Sequence, residues 1–173
     1  VNKFLPWIWL FLMSTGLAET TNAITGAFGV KFGEPFQESR ATTTFSHPSE
    51  NAYEFIPTNR VPQFTTYEAR TPGHTNIVIE IFAAGPPVKP DDGRVILQET
   101  ERILRLKYGE PHDSDRRSDF IRVTWERDSR TIDLALLKSS EEAGMMRLMV
   151  KYRDEGLVSK LKPKKKEEDT SGL

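Results

Sequence analysis

The chain has 173 residues, 24 of them Lys or Arg and 25 Asp or Glu, with a net charge of −1 and no cysteine. That near-neutral balance argues against a nucleic-acid binder, which needs a concentrated basic face, and the lack of cysteine excludes disulfides, thiol nucleophiles and cysteine zinc sites. The fold must rest on its core alone, and about 150 residues bury roughly 70% of their unfolded surface, enough for one domain.

In chain order, Lys3 precedes an apolar run from Phe4 to Met13 broken only by Pro6. Gly16 and Ala18 then stand at the −3 and −1 positions of a cut before Glu19, which predicts a signal peptide over 1–18. A cut after Ala23 is an alternative. The run is short of the ~20 residues that span a bilayer, so no transmembrane anchor remains after cleavage. Removal takes Lys3 with it and moves the net charge to −2.

A single domain is expected over 19–161. In Ile24–Phe36, glycines punctuate Phe28, Val30, Phe32 and Phe36. Gly29–Gly33 lacks the Gly-Lys-Ser/Thr ending of a phosphate loop, so the glycines serve tight backbone and the phenylalanines a core. Short strands are expected at Ala41–Phe45, Ala52–Ile56 and Phe64–Ala69, between turns at 47–51 and 57–62. A stronger strand is expected over Thr75–Ala84, where Glu80 interrupts an apolar pattern; Gly85-Pro86-Pro87 reads as the link to a helix.

Asp91 or Asp92 is expected to cap that helix. Ile96 or Leu97, Thr100, Ile103 or Leu104, and Tyr108 recur at the 3.6-residue period, with Glu99, Glu101, Arg102 and Arg105 on the wet side. Gly109 and Pro111 end it. The period then becomes 2: Phe120–Glu126, Thr131–Lys138 and Met145–Tyr152 each alternate, predicting an antiparallel sheet with one face on the core and one towards water. The fold class is therefore α+β in two layers, an antiparallel sheet packed on one main helix. Its order is strand, helix, three strands, with short extra strands before. Lys31-Phe32-Gly33-Glu34-Pro35 is echoed by Lys107-Tyr108-Gly109-Glu110-Pro111, which either two related α–β units or chance would explain. A short helix is expected within Arg153–Leu161. A disordered, charged tail is expected over 162–173, where Lys160–Lys166 offers a weak contact to anionic surfaces.

The run Gly26–Gly33, the strand around Tyr67, the Ile77–Ala83 strand and the helix ending Lys107-Tyr108-Gly109 resemble those of a group of small exported bacterial proteins of unknown function. The helix-then-strands order also resembles small periplasmic modules of outer-membrane assembly lipoproteins and of β-lactamase-inhibitor proteins, without their lipidated or disulfide cysteines. The resemblance implies a periplasmic or secreted protein and carries no catalytic residue across.

His47, His74 and His112 are isolated loop residues, and no two are spaced to hold a metal from one element. His112, Asp113 and Asp115 form at most a weak metal contact. No catalytic, cofactor-binding or metal site is assigned and no cofactor is expected. The expected function is a non-catalytic protein-binding or envelope-assembly module with a protein partner in the cell envelope. Tyr67, Phe120 or Trp125 would be its anchors wherever they are exposed. The alternative is a periplasmic hydrolase with an unrecognised carboxylate site.

Overall fold

Residues 22–162 are described by a computed structural model; the expected signal peptide and all of the expected tail except Lys162 lie outside them. The elements are β1 (Gly26–Ala27), β2 (Val30–Lys31), β3 (Ala41–His47), β4 (Glu50–Phe55), β5 (Thr66–Pro72), β6 (Glu80–Val88), α1 (Pro90–Tyr108), β7 (Asp113–Arg116), β8 (Phe120–Arg127), β9 (Arg130–Lys138), β10 (Met146–Asp154) and α2 (Glu155–Leu161). Strands β3 to β10 form one eight-stranded sheet in the order β3-β4-β5-β6-β10-β9-β8-β7, antiparallel at every pairing. The α+β class stands, with more β structure than the alternating patterns announced.

The sheet is two consecutive four-stranded meanders, joined where their last strands pair, Ile81 opposite Tyr152 and Ala83 opposite Val150. A helix follows each meander and a Lys-aromatic-Gly-Glu-Pro segment precedes each. Gly33 and Gly109 both take positive φ, 76° and 78°, while Phe32 and Tyr108 are both buried. The two halves therefore repeat one topology, although the first segment leaves a strand and the second leaves a helix.

Helix α1 lies against β9 and β10 and buries Gly93, Leu97, Thr100, Leu104 and Tyr108, the stripe its period predicts. Leu104 is core and Ile103 is 45% exposed. At Gly93 a Cβ would come within 3.0 Å of Leu136 Cδ1, so the small residue lets the helix approach the sheet. Two expectations need correction. Lys89 occupies the capping position with no side-chain bond; Asp91 and Asp92 lie in the first turn, where their charge acts on the helix dipole. Glu101 is buried rather than wet, because Arg105 and Arg116 reach it.

Strand β6 begins at Glu80 and runs through Gly85-Pro86-Pro87, which the sequence suggested as a link. Proline donates no ladder bond and is tolerated at bulges; here the register of β10 shifts, with Arg147 opposite Pro87 and Met149 opposite Ala84. Upstream, Ile77 makes a single bridge to Pro35, and Val78 exchanges backbone bonds of 3.0 Å with Gly33 and Glu34. β7 was not expected, since Asp-Ser-Asp-Arg has no apolar alternation; pairing with β8 makes it a strand.

On β4 and β5 the N-terminal segment supplies core side chains. Phe36 stacks on Tyr53 at 4.7 Å and Phe28 meets Tyr67 edge-on at 5.0 Å, within the range of favourable aromatic pairs. Ile24, Val30 and Phe32 join the same core. At the other end, Asp154 accepts from the backbone N–H of Leu157 at 2.8 Å and caps α2, while Leu157 packs on the core.

Candidate functional site

Alternation along the central strands decides what faces away from α1. Ile81 and Ala83, Ile121, Val123 and Trp125, Ile132, Leu134 and Leu136, and Leu148 and Val150 go to the core. Their neighbours Phe82, Phe120, Ala135, Leu137 and Met149 therefore point to the opposite face, and all five are half-buried there. Register makes them contiguous. Met149 stands opposite Ala84 and Ala135, Leu137 opposite Phe120, and Phe82 is two residues from Ala84. An apolar strip thus crosses β6, β10, β9 and β8, about 14 Å between the outer strands at the usual strand spacing. It floors an open groove of about 430 Å³.

Charged residues border the strip in two groups. In the first, Asp133 is buried on β9. Its Oδ1 accepts from Arg122 Nε at 2.9 Å, Arg122 Nη2 at 2.7 Å and Thr124 Oγ1 at 2.8 Å, and Lys151 Nζ stands 3.6 Å from Oδ2. In the second, Glu80 is buried on β6 between Arg153 Nη1 at 2.9 Å and Arg70 Nη1 at 3.5 Å. Arg70 is also bonded to Glu68. Burial acts to lower the Arg70 pKa, but the Glu68 hydrogen bond and the charges of Glu68, Glu80 and Glu50 outweigh it, and the guanidinium is held above its ordinary value. A second hollow of about 280 Å³ adjoins the groove at Arg70, Glu80 and Arg153, and Val158 and Leu161 of α2 also line it.

The anchors expected from the sequence separate here. Tyr67 is core; its hydroxyl donates to Val61 O at 3.0 Å and accepts from Val61 N at 3.1 Å, clasping the loop before β5. Trp125 is core, and its Nε1 donates to Gly109 O at 2.9 Å, fastening the end of α1 to β8. Neither is accessible to a partner; Phe120 alone of the three lines the groove. Glu80, singled out for interrupting an apolar strand, does line it. Asp133 carried the same signal, a lone carboxylate between Ile132 and Leu134, and was missed.

The carboxylates of the groove do not make an acid–base pair. Glu80 and Asp133 sit on strands separated by β10, and each is held by two cations. Asp115 is bonded to Arg117 at 2.7 Å, and His112 faces Glu126 at 3.9 Å. Among the described residues no group of three or more His, Cys, Asp or Glu is placed to hold a metal, and no helix is long and apolar enough to cross a membrane. Lys160 and Lys162 are exposed at the end of α2; the rest of the Lys160–Lys166 run lies outside the described residues. No family model, curated protein or solved structure matches the chain.

Proposed function

We propose that the protein is an exported, non-catalytic binding module of the bacterial cell envelope, and that it holds a protein partner in the groove on the open face of its sheet. The observation that carries this reading is the apolar strip of Phe82, Met149, Ala135, Leu137 and Phe120 on the face that α1 leaves uncovered. A sheet face turned to water ordinarily carries polar side chains at these positions, and a contiguous apolar patch with a polar rim is the usual anatomy of an interface.

Charge defines what fits. Arg122 and Lys151 share one carboxylate, Asp133, and are 49% and 38% exposed at their side chains. The arginine Nη1 and the other ammonium hydrogens of Lys151 are available to an incoming acceptor. The partner therefore presents apolar side chains beside a carboxylate, and the cations set its orientation more than its affinity.

The test is a quantitative pull-down from the envelope fraction with the mature chain, Leu137→Asp, Lys151→Glu and the exposed control Glu142→Gln. A stoichiometric partner retained by the control and lost by both groove variants supports the reading. Equal retention by all four chains overturns it.

A further inference from the structure

The two edges of the sheet are built differently. β7, at one edge, has four residues, Asp-Ser-Asp-Arg. Its Arg116 is tied to Glu101, and Asp115 to Arg117. Brevity and charge are how proteins prevent an edge from recruiting another strand. β3, at the other edge, has neither. Its seven residues, Ala-Thr-Thr-Thr-Phe-Ser-His, include no acidic residue, lysine, arginine or proline, and Thr42 to His47 are all exposed. Phe45 leaves 55% of its surface to solvent. Threonine and phenylalanine favour strands. Its register with β4 shifts between Ala41 and Thr43 and is unbroken from Thr43 to His47, a regular stretch of about 17 Å of edge backbone.

We infer that β3 pairs antiparallel with β3 of a second copy of this chain, about a two-fold axis at Thr44. What points to a second copy is that the strand complements itself. About that axis Thr44 meets Thr44 and Thr43 meets Phe45 on either side, all within the regular stretch of the strand. No like charges come together, and Thr–Thr pairs are favourable across antiparallel strands. Each Phe45 gains a neighbour on the face where it is now exposed. The contact is isologous, so it uses up the β3 edge of the eight-stranded sheet in each copy. Because β7 is closed, growth stops at a dimer with a continuous sixteen-stranded sheet. One strand pair is smaller than a standard stable interface, so the dimer is concentration-dependent. This inference is independent of the groove.

The experiment is sedimentation equilibrium of the mature chain over a concentration series reaching the millimolar range. Thr44→Lys, Thr44→Glu and their equimolar mixture are run beside it, and thermal melts verify that each variant is folded. Thr44 is exposed, so the melts should match the parent. The expected result is a parent mass that doubles with concentration, single variants that stay monomeric because like charges meet at the axis, and a mixture that dimerises again. A parent monomeric throughout overturns the inference, as does a Thr44→Lys chain that dimerises like the parent. A mixture that stays monomeric overturns the axis at Thr44. A monomeric parent that instead takes up an extended segment of another protein at β3 overturns the choice of a second copy.

Discussion

Glu101 on α1 and Arg116 on β7 are joined through one nitrogen: Arg116 Nη2 lies 2.8 Å from one carboxylate oxygen and 2.6 Å from the other. Arg105 adds a bond of 2.9 Å from the same helix. Burial acts to raise the Glu101 pKa, but hydrogen bonds from Arg116 and Arg105 and their charges outweigh it, and the carboxyl is held below its ordinary value. A group depressed in the folded state contributes stability that is fully present above its unfolded pKa, about 4.3 for glutamate, and is lost as pH falls through the folded pKa. Glu101→Gln should therefore cost about 1–2 kcal/mol at neutral pH, reduced by the partial exposure of both arginines. That deficit should close in acid, where the parent carboxylate is itself protonated. Urea midpoints of both chains from neutral pH into acid check this; a deficit unchanged in acid would refute the ion-pair account.

The phase of α1 makes a sharper contrast. Leu104 is core and its neighbour Ile103 is 45% exposed. Leu104→Ala should cost roughly 2–5 kcal/mol, from lost transfer energy and the cavity left behind. Ile103→Ala and Arg102→Ala should fall within about 0.5 kcal/mol of the parent, as surface changes do. Denaturant midpoints decide the matter, and a costly Ile103 beside a neutral Leu104 would rotate the helix by one residue.

On the groove face Arg122 has more than a surface role. Its partner Asp133 is buried, so removing the arginine leaves that carboxylate with only Thr124 and Lys151. A double-mutant cycle over Arg122→Ala and Asp133→Ala should give a coupling of about 1–2 kcal/mol. Additive single costs would mean that the pair contributes nothing to stability, as is common for exposed ion pairs.

Burial bears on where the proposed signal peptide would be cut. Ile24 is 1% exposed, its carbonyl accepts from Arg130 Nη1 at 3.0 Å, and the backbone N–H of Asn22 donates to Lys107 O at 3.2 Å. Cleavage after Ala23 would set a charged amino group on a buried residue, which is costly, and would remove Asn22. Cleavage after Ala18 leaves these contacts whole. Mass spectrometry of exported protein should therefore find a chain beginning at Glu19. A chain beginning at Ile24 would contradict the argument, and a cytoplasmic chain retaining 1–18 would contradict export.

Local periodicity carried much of the fold. The helical period of α1 down to Tyr108, the alternation in β8, β9 and β10, and the stop at Gly109 could be read directly, because a helix face and a strand face are each set by residues within two turns or a few positions of one another; the choice of Leu97 over Ile96 and Leu104 over Ile103 came only with packing. The same alternation placed Phe120 and Arg122 away from the core. β7 could not be read, because only a partner strand makes Asp-Ser-Asp-Arg extended. Nor could the course of β6 through two prolines, which depends on a register shift in β10. Apart from the i,i+4 pair of Glu101 and Arg105, the ion pairs that span distant parts of the chain were equally out of reach. Glu80 meets Arg153 across 73 residues of sequence, and Glu101 of α1 meets Arg116 of β7 across 15. Which residues are apolar, where they repeat and where the chain turns are local properties and can be read along the chain. Tertiary structure decided which carboxylates are buried, which aromatics are reachable and which edge stays open, because each of those depends on groups brought together by strand pairing between distant parts of the chain.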